Sequence, residues 1–361
     1  MCGIVGYIGS KQAAPFLLDG MSKLEYRGYD SAGIAVLEKG QVRVEKCVGR
    51  LDALRQKLEG NMPESVIGIG HTRWATHGRP SDRNSHPHTD SSGKFVVVHN
   101  GIIENYLALK EELIAKGVEF SSDTDTEVVA HLMADLFDGD MESTVKKVLK
   151  VIKGSYSLVF MCEAEQDKII CTKKDNPLVI GLGEGENFIA SDIPAIINHT
   201  RRTFIMSDGE IATVTKDGVW VQDIEGTPIN KKVFEVNWNA EAAEKGGFEH
   251  FMLKEIYEQP KAMRDTMTGR VNAEEKTINF PELNWTPEEL QGINKIFIVA
   301  CGTAYHAGIV GKYYLEQLAR IPVEVDIASE FRYRSPLVDG NSLCIVISQS
   351  GETSDALAAL R

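Results

Sequence analysis

Short apolar runs separated by turn residues dominate the chain up to about residue 230 and predict many strands with few helices. The dipeptides Lys39-Gly40 and Asp217-Gly218 lie between such runs, as is typical of β-hairpins. Apolar residues at helical spacing predict amphipathic helices over 12–24, 106–114 and 128–137. Helices of this kind cover the faces of antiparallel sheets, so the pattern predicts an α+β domain built of layers.

The spacing of apolar residues changes at about residue 250. The pattern predicts a helix over 250–268, a strand over 295–300, a helix over 305–318 and strands over 323–327 and 343–347, with a further helix after Ser350. Strands that alternate with helices indicate a doubly wound α/β parallel sheet. The polar stretch between the two patterns places a first domain over 1–238, a linker over 239–249 and part of a second domain over 250–361, which we expect to be truncated.

Composition and charge narrow the classes of function. The chain has 361 residues, of which 43% are hydrophobic and 25% charged, with a net charge of -13. This balance disfavours a nucleic-acid partner, because phosphate neutralisation needs clustered Lys and Arg. Membrane association and secretion are not expected either, because no apolar stretch approaches the length of a membrane span and the start lacks a basic signal region, so we expect a cytoplasmic protein.

Among the six cysteines, Cys2 is distinguished by its position directly after Met1. The six cysteines form no C-x-x-C pair and fit buried apolar positions, and Cys2 itself fits the core of a first strand over 3–8. Removal of Met1 would leave Cys2 with both a thiol and a free α-amine, whose pKa of about 8 suits a base for the thiol. We therefore consider Cys2 a candidate nucleophile.

Three polar motifs supply the other groups that attack on an amide requires. Arg73 follows a predicted strand over 66–70, where its planar fork suits a carboxylate, although a surface salt bridge is the plainer reading. Asn100 and Gly101 end a predicted strand over 95–98, where they form either an oxyanion site or a simple turn. Asp125 lies in a predicted capping box, in which Thr124 caps the helix and Glu127 returns the bond, and can also pair with an ammonium group.

The histidines near these motifs raise the question of a metal. His71, His77, His86, His88 and His99 have no Glu or Cys at zinc-ligand spacing, and a cysteine amidase needs no metal. We expect neither a metal nor another cofactor.

Four motifs in order carry a family resemblance: CGIVG at residue 2, HTRWATHG at 71, HNGIIEN at 99 and DTDTE at 123. Together they resemble the class II, N-terminal-nucleophile glutamine amidotransferases, which implies a sandwich of helix, sheet, sheet and helix layers. The resemblance implies Cys2 as nucleophile and Asn100 with Gly101 as oxyanion hole. It also implies that glutamine is the substrate. Further residues receive roles from the same resemblance: glutamine binding by Arg73, Thr76, His77 and Asp125, closure of the site by Arg27, and a gate for ammonia at Trp74.

Two loops of the second domain are rich in hydroxyl groups. Residues 301–304 (CGTA) and 348–353 (SQSGET) each follow a buried strand and precede a helix, a position that suits a phosphate ester, although the same residues also serve as helix caps. The loops resemble the sugar isomerase (SIS) domain. That resemblance implies sugar-phosphate contacts from Thr303, Ser348, Gln349, Ser350 and Thr353, whereas Ala304 stands where relatives often carry serine.

The two domains together resemble the aminotransferases that pass ammonia from glutamine to fructose 6-phosphate and form glucosamine 6-phosphate. This family implies a homodimer that pairs through its isomerase domains, and its remaining isomerase residues are expected beyond residue 361, so we do not expect this chain to complete the sugar reaction. A purine-pathway amidotransferase that uses phosphoribosyl pyrophosphate would show a pyrophosphate-binding loop, which 250–361 lacks. A non-catalytic sugar-phosphate sensor would not need Cys2, Asn100 and Asp125.

Overall fold

Two compact units, Met1–Glu244 and Lys245–Arg361, make up the computed structural model of the chain. The structure describes residues 2–75, 77–236, 248, 250–268, 270–272, 277–278, 280, 283, 285–349, 351 and 353–360. Apart from Phe248, the predicted linker over 239–249 lies outside the described residues, and the domain bounds given above stay a prediction.

Two antiparallel sheets form the centre of the first unit. In chain order its strands are β1 (Gly3–Ile8), β2 (Ser31–Glu38), β3 (Gln41–Val48), β4 (Ile67–Arg73), β5 (His88–Thr89), β6 (Phe95–Ile103), β7 (Gly154–Cys162), β8 (Glu165–Lys174), β9 (Val179–Leu182), β10 (Asn187–Ala190), β11 (Arg202–Ile205), β12 (Ile211–Val214), β13 (Val219–Gln222) and β14 (Phe234–Glu235). One sheet has the order β14-β11-β9-β10-β1-β4-β2-β3, and the other has the order β13-β12-β8-β7-β6-β5. Both predicted hairpin turns are confirmed, because β2 pairs with β3 and β12 with β13.

Helices cover the outer face of each sheet. They are α1 (Ala13–Ser22), α2 (Leu51–Leu58), α3 (Tyr106–Ala115), α4 (Glu127–Leu136) and α5 (Met141–Val151), with a 3-10 turn at Ile193–Ala195. Apolar residues of α1 and α2 pack on the first sheet, those of α3, α4 and α5 pack on the second, and a third cluster fills the space between the sheets. The predicted order of helix, sheet, sheet and helix layers is confirmed.

Two strands extend further than the sequence predicts. The strand predicted over 66–70 continues to Arg73, and the strand predicted over 95–98 continues to Ile103. Arg73 and Asn100 therefore lie within strands, and of the two readings given for Asn100-Gly101 the simple turn is wrong. Pairing with neighbouring strands supplies the reason, because Arg73 pairs with Ser31 and Asn100 with Ser157.

The second unit contains a parallel sheet in the order β18-β17-β19. In chain order its elements are α6 (Phe251–Met267), β15 (Val271–Asn272), β16 (Thr277–Ile278), α7 (Pro287–Gly292), β17 (Lys295–Ala300), α8 (Gly302–Leu318), β18 (Val323–Ile327), α9 (Ala328–Tyr333), β19 (Ser342–Ile347) and α10 (Ser354–Leu360). Alternate residues of β17 face opposite sides: Ile296 and Ile298 pack near Leu315 of α8, whereas Phe297 and Val299 pack with Phe331 of α9. The predicted doubly wound arrangement is confirmed.

Candidate active site

Cys2 lies directly before β1, beside the residue that follows β4. Its Sγ atom accepts a hydrogen bond from the Trp74 N–H at 3.1 Å and lies 3.4 Å from the Trp74 carbonyl oxygen. Burial raises the pKa of the Cys2 thiol, and the hydrogen bond from Trp74 only partly offsets this effect. Because a raised pKa keeps the thiol protonated near neutral pH, a nucleophilic Cys2 requires a base.

Two side chains hold the carbonyl oxygen of Cys2. The Asn100 Nδ2 atom donates to it at 3.1 Å, and Arg27 Nε donates at 3.4 Å. Arg27 is itself fixed, because its Nη1 atom lies 3.0 Å from a carboxylate oxygen of Asp192 that also accepts the Tyr26 hydroxyl. The residue predicted to close the site thus contacts Cys2 through an anchored guanidinium.

Gly101 follows Asn100 in a backbone conformation that favours glycine. Its φ angle is +127°, and a Cβ atom there would lie 2.0 Å from the carbonyl oxygen of Ser155 on the neighbouring strand β7. A side chain at this position would therefore force the two strands apart. Strand β6 brings Asn100 to the Cys2 carbonyl oxygen, and Gly101 is the next residue of the same strand.

Arg73 is buried and has only part of its guanidinium paired. Its Nη2 atom donates to the carbonyl oxygens of His77 and Gly78, the latter at 3.2 Å. Its Nη1 atom is buried and has no hydrogen-bond partner among the described residues. A buried donor without a partner is costly, so Nη1 is suited to receive an anion. The plainer reading of Arg73 as a surface salt bridge is wrong.

Asp125 is held in the same unit by strand β6. Its Oδ2 atom accepts the Ile103 N–H at 2.8 Å and lies 3.9 Å from His99 Nδ1. The predicted capping box in front of α4 is wrong. Thr124 Oγ1 contacts Ser122 Oγ at 3.0 Å and His88 Nε2 at 3.2 Å instead of capping the helix, and the N-cap residue Thr126 makes no side-chain cap.

Glu127 instead binds the segment that leads to Asp125. One carboxylate oxygen accepts the Ser121 N–H and hydroxyl, both at 2.7 Å, and the other accepts the Ser122 N–H and hydroxyl, both at 2.6 Å. Burial alone raises the pKa of the Glu127 carboxyl, but the His131 ring, whose Nε2 atom lies 3.5 Å away, and the hydrogen bonds from Ser122 and Ser121 outweigh burial and hold this pKa below its ordinary value. The negative charge of Glu127 therefore fixes this loop.

The remaining predicted residues of the first unit lie at the exposed side of the site. Trp74 is 48% exposed, and its ring meets the Tyr29 ring edge-on, with 5.4 Å between the centroids. His77 is half-buried and packs against Tyr106, with ring centroids 5.5 Å apart. Thr76 lies outside the described residues.

Neighbouring strands β17 and β19 end at one edge of the sheet, since Ala300 pairs with Ile347, and the two predicted loops of the second unit follow these strands. The first prediction of a loop is wrong, because helix α8 already begins at Gly302 and residues 302–304 form its first turn. Ser348 Oγ lies 2.9 Å from Thr353 Oγ1 and accepts the Gly351 N–H at 3.0 Å. Thr303 and Gln349 are exposed, and Ser350 lies outside the described residues. The hydroxyls of Ser348 and Thr353 therefore meet each other within one loop.

Several contacts of the site were not predicted from the sequence. They include the Tyr26–Asp192 anchor of Arg27, the bond from the Ala75 N–H to Asp30, and the contact of His71 with Asn100. His71 belongs to one of the motifs noted above, but only the fold shows which atoms it contacts. Within the described part of the chain, no group of three or more His, Cys, Asp or Glu side chains is arranged to hold a metal ion.

Family models match both units. The model of the glutamine amidotransferase domain matches residues 71–198, and the SIS domain model matches residues 289–361. Similar solved structures include glutamine phosphoribosylpyrophosphate amidotransferase from B. subtilis, with a TM-score of 0.56 and 21% identity over 97% of this chain and 69% of that one. The chain thus combines a glutamine amidotransferase domain, in a unit that has the fold of the N-terminal-nucleophile amidotransferases, with a second unit that matches the SIS domain.

Curated relatives make the assignment more specific. The chain is 57% identical to the glutamine–fructose-6-phosphate aminotransferase (isomerizing) of Clostridium tetani and 58% identical to that of Caldanaerobacter subterraneus, over all 361 residues in both cases. Over its whole length the chain is therefore similar to the glutamine–fructose-6-phosphate aminotransferases. The chain spans 59% of the length of each of these relatives. Among the described helices, none has the length and apolar character needed to cross a membrane.

Proposed function

We propose that this chain hydrolyses the side-chain amide of glutamine and releases glutamate and ammonia. The observation that carries the proposal is the approach of Asn100 to Cys2: a side-chain amide donor lies 3.1 Å from the Cys2 carbonyl oxygen although 98 positions separate the two residues. The site thereby combines a thiol with an oxyanion donor, the two groups that acyl transfer from an amide needs.

The Cys2 α-amine, set free by removal of Met1, is the proposed base. Both hydrogen-bond contacts that the described residues make with Sγ involve the Trp74 backbone, which leaves the thiol without a side-chain base there. The amine takes the thiol proton, and the thiolate attacks the amide carbon of glutamine. The tetrahedral oxyanion is stabilised by Asn100 Nδ2 and the Gly101 N–H until the amine returns the proton and ammonia leaves. Water then cleaves the γ-glutamyl thioester.

Recognition of glutamine is assigned to the groups that surround this centre. The unpartnered Nη1 atom of Arg73 suits the substrate α-carboxylate, and the buried carboxylate of Asp125 suits the α-ammonium group. Thr76 and His77 complete the proposed glutamine contacts. Arg27 closes the site over Cys2, and the exposed Trp74 ring gates the exit of ammonia.

Fructose 6-phosphate is the proposed acceptor of the ammonia, and glucosamine 6-phosphate is the product of the whole protein. The names of the relatives and the match to the SIS domain support this proposal. The phosphate contacts are assigned to the first turn of α8 and to the loop that follows β19, through Thr303, Ser348, Gln349, Ser350 and Thr353. Calorimetric titration should show binding of fructose 6-phosphate but not of fructose, and equal binding of both sugars would contradict a phosphate site.

The proposal extends to assembly and location. The family resemblance supports a homodimer that pairs through the isomerase domains, in a cytoplasmic setting. The net charge of -13 supports the absence of a nucleic-acid partner.

Glutamate release from glutamine tests the proposed reaction. We expect wild type to release glutamate and Cys2→Ala to lose about a thousandfold or more of the rate, because the nucleophile is removed. Cys47→Ala is the matched control, since Cys47 is a half-buried cysteine in β3 that the mechanism does not use. Equal rates for wild type and Cys2→Ala would contradict the proposal.

A further inference from the structure

His71 connects the two sheets of the first unit at the candidate active site. It lies in β4 of one sheet, and its ring Nε2 atom approaches β6 of the other, 3.0 Å from Asn100 Oδ1 and 3.0 Å from the His99 carbonyl oxygen. The ring is fully buried and stacks on His86, with 4.1 Å between centroids. The imidazole is thus held from its face as well as from its edge.

The two contacts of Nε2 determine the tautomer of His71. Both neighbours are oxygen acceptors, so Nε2 carries the proton and donates to them. The other ring nitrogen, Nδ1, is buried without a partner among the described residues, which suits a bare lone pair better than a second N–H. Burial lowers the pKa of His71 to about 3, which agrees with a neutral ring.

Because the His71 Nε2–H group donates to Asn100 Oδ1, it also fixes the orientation of the Asn100 amide. With Oδ1 facing His71, Nδ2 faces Cys2, whose carbonyl oxygen it contacts at 3.1 Å. An Nδ2 group has two hydrogens, so one hydrogen bonds this carbonyl and the other remains for a substrate oxyanion. The flipped amide would turn its oxygen toward the developing negative charge and oppose the reaction.

We propose that His71 is a positioning residue that orients the Asn100 amide as the oxyanion donor for Cys2. This inference rests on the proposed glutaminase function. His71 itself does not contact the reacting atoms, and it acts through Asn100.

Matched substitutions separate this role from packing. In His71→Gln the amide Nε2 atom occupies the place of the histidine Nε2 and keeps the hydrogen-bond donor. In His71→Phe an aromatic ring remains but the donor is lost. We expect His71→Phe to lower kcat for glutamate release about tenfold to a hundredfold with KM nearly unchanged, and His71→Gln to recover most of the loss. His199→Phe, at a ring that packs on Phe16 and Phe188, is the control for loss of a histidine.

A double-mutant cycle tests the route through Asn100. In an Asn100→Ala background, His71→Phe should cause no further loss of kcat. An equal loss in both backgrounds, or a His71→Gln variant as slow as His71→Phe, would overturn the proposal. Thermal melting of each variant shows whether it is folded.

A measurement on the protein itself does not depend on turnover. Nitrogen-15 NMR of wild type should show a proton on Nε2 of His71 and none on Nδ1, and the side-chain amide signal of Asn100 should move in His71→Phe but remain in place in His199→Phe. An Nδ1–H tautomer, or an unmoved Asn100 signal, would overturn the proposal. Absence of glutamate release by wild type would refute the proposed function alone, because the NMR result still decides the positioning role.

Discussion

The Arg73 guanidinium has two parts with different surroundings. Its Nη2 atom holds the carbonyl oxygens of His77 and Gly78 and so fixes the segment after β4, whereas the buried Nη1 atom has no partner among the described residues. A planar fork can serve a loop and a ligand at once, which a lysine ammonium on a flexible stem does less well.

Arg73→Lys should therefore raise KM for glutamine about tenfold to a hundredfold, the usual worth of a hydrogen bond to a charged group. Steady-state kinetics with glutamine and with 4-aminobutanamide, which lacks the α-carboxylate, measures the effect, and KM for 4-aminobutanamide should change little. Arg83→Lys is the control, since that side chain is 62% exposed and pairs with Asp123. An equal rise of KM for both amides would contradict carboxylate binding by Arg73.

At the scale of single residues, the sequence indicates which side chains are candidates but not which atoms meet. Cys2, Arg73, Asn100 and Asp125 are recognisable because each belongs to a polar motif beside a predicted element. The role inferred for His71 is not, because a buried histidine between two sheets has no distinct signal in the chain. Only the packing of β4 against β6 brings its ring to Asn100.

At the scale of elements, the segment before α4 shows how a predicted capping box can make other hydrogen bonds in the folded protein. Glu127 begins the helix and accepts four hydrogen bonds from Ser121 and Ser122. The sequence predicts correctly that Glu127 bonds back toward preceding residues. It predicts the wrong partner, because Thr124 turns to His88 on strand β5, a contact that depends on tertiary structure.

Glu127→Gln should lower the free energy of unfolding by about 2–3 kcal/mol, because an amide nitrogen would face donors that now bind a carboxylate. Urea unfolding measures the change, with Glu119→Gln, at an exposed position, as the control. KM for glutamine should also rise, because the loop carries Asp125. A change within about 0.5 kcal/mol, as expected for a surface substitution, would contradict the importance of this loop.

At the scale of the whole molecule, the layers of the first unit and the parallel sheet of the second follow from apolar periodicity. The order of the strands does not, because β1 lies between β10 and β4, and residues far apart in the chain form these pairs. This order places Cys2 beside Trp74 and is set by the cores that the sheets bury together.

Buried neutral histidines near the site give the fold a defined acid sensitivity. Burial lowers the pKa of His71 to about 3 and lowers the pKa values of His86 and His99 as well. In the unfolded chain these rings take up protons as pH falls below about 6.5, whereas in the folded protein they stay neutral. The stability that the neutral His71 ring contributes is therefore fully present above about pH 6.5 and is lost as pH falls toward 3.

Well below pH 6.5, the buried His71 ring should remove about 1.4 kcal/mol of the free energy of unfolding per pH unit. Urea unfolding between pH 7 and pH 5 should accordingly show a smaller pH slope for His71→Phe than for wild type, by a difference that grows to about one proton at pH 5. His199→Phe serves as the comparison. An unchanged slope in His71→Phe would mean that His71 titrates normally in the folded protein.

The central claim, that Cys2 is the nucleophile toward glutamine, is tested most directly by a diazoketone analogue of glutamine that alkylates the attacking atom. Peptide mass spectrometry of the inactivated protein should find one adduct, on the peptide that begins with Cys2 after loss of Met1. Excess glutamine should protect the protein, and Cys2→Ala should remain unlabelled. Inactivation with the label on another residue, or complete inactivation with Cys2 unmodified, would contradict the account.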